Sequence, residues 1–213
     1  MLKPTAPVFR CRSNLPARSP RSPSWQLSWL LSALNGRPVD DRGHPLPWYT
    51  YPCIQTLESR LSPTSRVFEW GSGHSTLWFA QRVREIVTVE HDLRWVSELR
   101  RRAPAGARFI HHTAPQAYAG EILHHEPFDL IVVDGRYRPL CGRVAAAALT
   151  TGGVILWDDS QAPDYPPGRK LLRRQGFQEW TFSGYRPGSP RITSSTLLLR
   201  SGNCLNWPTR ELR

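Results

Sequence analysis

Lysine is almost absent from this 213-residue chain: only Lys3 and Lys170 stand among its 28 basic side chains, and the rest are arginines spread along the whole length. Acids are scarce as well, 17 of them, which leaves a net charge of +11. Arginine suits bidentate contact with phosphates and carboxylates. A bias this uniform reads as a compositional habit before it reads as a nucleic-acid footprint, and no alternation of basic and aromatic residues offers a single-strand groove. Long apolar runs are also missing. SWQLSWLLSAL, residues 24–34, is too short and too polar to span a bilayer. Its apolar positions Trp25, Leu27, Trp29, Leu30, Leu31 and Leu34 suit a short helix laid against the domain, with a membrane-surface helix as the other reading. Closely spaced cysteines are absent. Cys11, Cys53, Cys141 and Cys204 lie far apart without C-x-x-C or metal-ligand spacing, so reduced thiols in a cytoplasmic protein are expected. The pairs His111–His112 and His124–His125 do not read as zinc sites, because neighbours on a strand point to opposite faces.

The length fits one α/β domain with an N-terminal extension. Residues 1–42 form that extension, which is basic, rich in Pro, Ser and Arg at its start, and ends in the short helix. Its first 24 residues suit a disordered or loosely packed arm, an organellar transit peptide being the other reading. The domain proper runs from 43 to 200, and 201–213 reads as a dispensable tail. After an extended segment with Trp48, Tyr49 and Tyr51 comes a helix whose apolar face is Cys53, Ile54, Leu57 and Leu61. Short apolar runs at 66–70, 85–90, 107–111, 128–133 and 153–157 then alternate with helical segments at 75–84, 92–102, 114–123 and 139–149. That alternation predicts a doubly wound, mostly parallel sheet covered on both faces. A helix at 167–175 precedes two more strands, 178–182 and 194–199. The eleven residues between these are too few for a crossover, so the seventh strand should run antiparallel.

The most informative stretch is VFEWGSGHST, residues 67–76. In a doubly wound sheet the turn after the first strand faces the ligand. Gly71 and Gly73 let the backbone turn and approach it without a Cβ, and Ser75 or Thr76 can cap the following helix. A third glycine, needed by a dinucleotide fingerprint, is lacking: Thr76 stands there. Glu69 just ahead of the turn would repel a pyrophosphate and favour an ammonium group. Glu90, 21 residues later, is placed to accept hydrogen bonds from ribose hydroxyls. S-adenosylmethionine carries both groups.

VFEWGSGHST, VTVEHD, FDLIVVDGRYR and GGVILWDDS together resemble the successive motifs of class I S-adenosylmethionine-dependent methyltransferases. PWYTYP, VFEWGSGHSTLWFA, VDGRYRPLC and FSGYRPGS resemble more narrowly a group of small bacterial methyltransferases of unassigned substrate. The resemblance covers about residues 45–200. It implies the seven-stranded sheet with an antiparallel last strand, and cofactor contacts from Glu69, Gly71, Gly73 and Glu90, to which the local pattern adds Ser72, Ser75, Thr76, His91 and Asp134. The acid that many relatives carry after the third strand to meet adenine is missing, which leaves Thr113, Gln116 and Tyr118 as candidates.

Transfer from a sulfonium depends mostly on alignment, and a hydroxyl acceptor must lose its proton. Asp134 after the fourth strand and Asp158 and Asp159 after the fifth should share one rim of the sheet. Asp134 and Asp158 are the catalytic candidates; with Asp159 they could instead hold Mg²⁺ or another divalent cation, an arrangement similar to that of metal-dependent O-methyltransferases. Trp48, Tyr49, Tyr51, Arg136, Arg138 and Arg186 are expected to hold the substrate, with Arg191 on the same face. His74 is expected to be a polar residue at a helix start with its ring in solvent. The leading expectation is O-methylation of a small-molecule or carbohydrate-like acceptor. RNA or protein methylation, a non-catalytic S-adenosylmethionine-binding module and an aminopropyl-transferring relative are the other readings.

Overall fold

The computed structural model describes residues 24–163 and 166–209. The expectations for the N-terminal arm and Cys11 lie outside the described residues. Seven strands form one sheet in the order β3-β2-β1-β4-β5-β7-β6, where β1 is Arg66–Trp70, β2 Glu85–Glu90, β3 Ala107–His111, β4 Phe128–Val133, β5 Leu149–Trp157, β6 Gln178–Arg186 and β7 Ser189–Leu199. Pairings among β1 to β5 are parallel, and β7 is antiparallel to both β5 and β6. The order reverses at β1, so the loops after β1 and β4 diverge there and leave a crevice.

Alternation along the central strands fills two cores. Phe68, Ile131, Val133, Ile155 and Trp157 point to one face, packed with Tyr118, Cys141 and Leu172. Val67, Leu130, Val132, Val154 and Leu156 point to the other, against Ile54, Leu57, Trp78 and Phe79. Burying each such side chain contributes about 1.5–3 kcal/mol, and both faces of the sheet are covered, as near-continuous apolar strands demand. The helices are α1 (Trp25–Asn35), α2 (Tyr51–Arg60), α3 (His74–Phe79), α4 (Leu93–Arg102), α5 (Pro115–Gly120), α6 (Arg138–Val144) and α7 (Pro166–Arg174). Among the described residues no helix is long and apolar enough to cross a membrane, and Cys53, Cys141 and Cys204 are free thiols.

Several features differ from the pattern expected of the sequence, among them the fifth strand, which begins at Leu149 rather than 153, and the helix before it, which ends at Val144 rather than 149. The helix after the glycine turn is six residues, ending at Phe79 rather than 84. The last two strands do not stop at 182 and resume at 194. They continue as a two-stranded ribbon, Ser183 opposite Ser194 and Arg186 opposite Ser189, closed at Pro187–Gly188. This ribbon runs past the sheet edge, where Pro190 need not donate to a third strand.

Helix α1 is turned around: Ser28 and Ser32 are buried while Leu27, Leu30 and Leu34 are 44%, 48% and 74% exposed. Polar clasps choose that face. Ser32 Oγ accepts the Val39 N–H at 2.9 Å and donates toward Ser28 O, and Trp29 Nε1 donates to Ser189 O at 2.9 Å. Residues 201–209 are not an appendage: Leu205 is buried, Trp207 packs edge-on against Trp180 and Phe182, and Arg60 bonds the carbonyls of Leu205 and Asn206.

Candidate active site

A cleft of about 370 Å³ opens at the carboxyl ends of β1, β2 and β4. Its floor is the turn after β1. Gly71 has φ +95°, and a Cβ there would fall 2.6 Å from Gly135 Cα, so two loops cross in van der Waals contact where only hydrogen fits. Gly73 differs. Its backbone is extended, φ −168°, and nothing lies closer than 3.5 Å to the place of a Cβ. Its lack of a side chain serves the cleft, not the fold.

Glu90 ends β2 on the cleft wall. Its Oε2 accepts the Ser72 N–H at 3.0 Å, and its Oε1 accepts the N–H groups of His91 and Asp92 at 2.7 and 3.0 Å. His91 Nδ1 lies 2.5 Å from the same oxygen. Three backbone donors thus fix a carboxylate against the turn before any ligand arrives.

Glu69 and Thr76 lie behind the turn rather than on the wall. Thr76 Oγ1 accepts the Gly73 N–H at 2.9 Å and donates to Glu69 Oε2; the capping role thus falls to Thr76, while Ser75 lines the cleft. Tyr49 Oη donates to Glu69 Oε1 at 3.5 Å. Fully buried, Glu69 is pushed from the ordinary 4.5 up to about 8, chiefly by desolvation and against the pull of its hydroxyl partners. An ammonium group at the turn would therefore be met by the wall acids Glu90 and Asp134 before the deeper Glu69.

Asp134 stands on the opposite wall beside Gly135 and Arg136. Burial raises its carboxyl above the ordinary range and Arg138 opposes that rise. Arg138 Nη2 bonds Asp134 Oδ1 at 2.9 Å and the Asp134 carbonyl at 2.8 Å, its Nε bonds Gly135 O at 3.0 Å, and its Nη1 bonds Asp158 O. This buried guanidinium fastens the ends of β4 and β5 together and does not line the cleft, where a substrate contact was expected of it.

Asp158 is buried and accepts Ser195 Oγ–H at 2.6 Å. Desolvation, then the neighbouring Asp134 and Asp159, holds its carboxyl well above the ordinary range. Asp159 sits at φ +49° and pairs with Arg186 at 3.4 Å. Among the described residues no group of three or more His, Cys, Asp or Glu side chains could hold a metal ion. Asp134, Asp158 and Asp159 each accept from a different side chain, Arg138, Ser195 and Arg186, so the expected Mg²⁺ site does not fit. Neither histidine pair lies within a strand, contrary to that expectation: His111 ends β3 with His112 beyond it, and His124–His125 close a 3-10 turn; His112 and His125 meet on Glu121 at 2.8 and 3.0 Å.

Other side chains are placed as follows. Trp48 lines the cleft and is 49% exposed. Tyr49 is buried in the core, and Tyr51 packs tilted against Trp25 with centroids 4.8 Å apart, outside the cleft. Arg136 is at the cleft, Arg186 borders a second cavity, and Arg191 is exposed. Of the adenine candidates, Tyr118 is buried under Gly135, and neither Thr113 nor Gln116 lines the cleft.

His74, expected in solvent, is buried on the cleft wall. Its Nε2 lies 3.3 Å from Arg102 Nη2. Burial, then Arg102 and Arg37, lowers it from 6.5 to about 4, so the ring is neutral at pH 7. Trp95 and Pro38 also line the cleft. Trp95 is fixed by its Nε1–H to Ser72 O at 2.8 Å. A tryptophan three residues past an Asp N-cap was the available signal; Pro38 had none, since its position depends on the α1 clasp.

This strand order, with its antiparallel seventh strand and a glycine turn facing an acid at the end of β2, is the Rossmann-like fold of class I S-adenosylmethionine-dependent methyltransferases. Residues 68–160 match the model of a family described as a methyltransferase domain, and no substrate comes with that match. The chain is similar in structure to a precorrin-6y C5,15-methyltransferase from Geobacter metallireducens (12% identity, 70% of this chain and 87% of that one, TM-score 0.57). It is also similar to a putative caffeoyl-CoA O-methyltransferase from Staphylococcus aureus (12%, 83% and 91%, 0.55), and to an rRNA methylase from Streptococcus thermophilus (10%, 68% and 92%, 0.51). No curated protein matches it in sequence.

Proposed function

We propose that the protein transfers a methyl group from S-adenosylmethionine to an oxygen of a small-molecule or carbohydrate-like acceptor. The observation that carries this reading is one cleft holding two acids with different duties. Glu90 is a carboxylate fixed by backbone donors, and Asp134 faces it with its affinity for a proton raised by burial.

The residues fit the cofactor. The cleft is within the usual ligand range of about 300–1,000 Å³. Gly73 leaves room at the turn, and Glu90 offers acceptors for a ribose diol. When bound, the cofactor supplies an electrophilic methyl on a sulfonium. Glu90, Ser72 and Gly73 bind and orient it. Asp134 accepts the acceptor hydroxyl's proton, and a carboxyl with raised affinity is a better base for a weak acid than an ordinary surface aspartate. Arg138 keeps Asp134 aimed, and no metal step is invoked because the three rim acids do not form a site for one.

The test is calorimetry with S-adenosylhomocysteine and, separately, transfer of a labelled methyl group. Glu90→Ala should lose the nucleoside, while Asp134→Asn should bind it and fail to turn over. Equal loss of binding in both would refute the division of labour. The net charge of +11 favours RNA as the second reading for the acceptor; a steep fall of RNA affinity with salt would support it.

A further inference from the structure

A second cavity, about 190 Å³, lies between α1 and the β6–β7 turn. Among the described residues Trp48 is the one member common to its lining and that of the cofactor cleft, so this residue borders both spaces. The cavity is built rather than incidental. Gly188 has φ +69°, and a Cβ there would fall 2.9 Å from the Ser32 carbonyl carbon, so α1 and the turn touch backbone to backbone. Trp29 adds its hydrogen bond to Ser189 O. Trp48 donates Nε1–H to Pro187 O at 3.1 Å, which locks the indole by one edge while about half of it stays uncovered. A large aromatic held in place yet unpacked is a stacking platform.

Arg186 supplies the charge. Its ion pair with Asp159 is 3.4 Å long, well beyond the roughly 2.7–2.9 Å of a strong charge-assisted bond. That long pair, with the Asp134 carboxylate also near enough to feel the charge, leaves the planar fork able to take a better-matched anion. The volume corresponds to roughly six liquid waters, enough for one ring with a small substituent and too small for a nucleotide.

Resting on the methyl-transfer reading, we propose that this cavity binds the acceptor, and that the acceptor is a compact single-ring hydroxylated molecule bearing an anionic group. The ring lies on Trp48, the anion meets Arg186, and the hydroxyl is presented past the indole toward Asp134.

The test titrates the full chain, saturated with S-adenosylhomocysteine, with 4-hydroxybenzoate and with its neutral analogue 4-hydroxybenzamide. Binding is read by calorimetry and by the Trp48 indole N–H resonance. The acid should shift that resonance and bind about 10-fold or more tightly than the amide, the size of a hydrogen-bonded charge contact. Arg186→Gln should erase the preference, and Arg186→Lys should restore part of it. Asp159→Asn, which removes the paired carboxylate, should tighten the acid about 2- to 5-fold and leave the amide unchanged, a gain that misfolding cannot imitate. No binding at millimolar concentration, equal binding of acid and amide, or a preference that survives Arg186→Gln would each overturn the proposal. Failure of S-adenosylhomocysteine itself to bind would instead overturn the methyl-transfer reading on which it rests.

Discussion

Glu69 makes stability depend on pH in a direction opposite to that of a salt-bridged acid. The native state holds its proton up to about pH 8, whereas the unfolded chain releases it near 4.5. Between those values the native state binds more protons, so stability falls as pH rises, by about 1.4 kcal/mol per pH unit. Across the full window this one buried group accounts for about 5 kcal/mol, and above pH 8 the slope vanishes. His74 works the other way: lowered from 6.5 to about 4, it adds stability as pH rises through that interval. It therefore masks Glu69 below pH 6.5, and the cleanest window is pH 6.5 to 8.

Glu69→Gln removes the titration while keeping an oxygen for Thr76 and an amide for Tyr49. Urea denaturation of both proteins at pH 5.5, 6.5 and 7.5 should show wild type losing about 1.4 kcal/mol per unit relative to the variant, His74 cancelling in the difference. Parallel stability curves, or wild type gaining on the variant as pH rises, would refute a neutral Glu69 beneath the turn.

Glu90→Gln should weaken S-adenosylhomocysteine about 10- to 100-fold by calorimetry and also lower thermal stability, because its amide NH2 must face either the Ser72 N–H or the His91 and Asp92 N–H groups and leave them unpaired. Arg138→Met should cost about 3–5 kcal/mol in chemical denaturation, because Asp134 and three carbonyls lose a buried partner; Arg138→Lys should not rescue it, since an ammonium cannot span the fork. If Asp134 is the base, kcat/KM should fall on the acid side with a midpoint above the ordinary carboxylate range, the proton being held by burial, and an acid limb at or below pH 4 would exclude it.

Much of the lining of the candidate cleft is legible in the sequence. The first four strands agree residue for residue with the apolar runs, since each is a short β-branched stretch bounded by turn residues. Glu90, Gly71, Gly73 and Asp134 were identifiable because the topology ties strand ends to one rim. The errors share a cause. Leu27, Leu30 and Leu34 are exposed although their spacing predicts a core face, because Ser32 and Trp29 satisfy backbone groups of distant segments. Arg138 and Arg186 read alike in sequence, but one is consumed by the β4 and β5 carbonyls and the other borders a cavity. The three rim aspartates have the composition of a metal site, but their oxygens are taken up by Arg138, Ser195 and Arg186.

The sequence by itself determined the parallel sheet, the glycine turn and the acids at the strand ends, because period-two apolarity and backbone freedom are local properties. Only tertiary structure decided which charges face outward. Burial turns Glu69 into a proton-holding acid, Arg138 and Ser195 bind two of the rim aspartates, and the clasp of α1 on the β6–β7 turn creates the second cavity. Each depends on desolvation and long-range contact, which no spacing along the chain encodes.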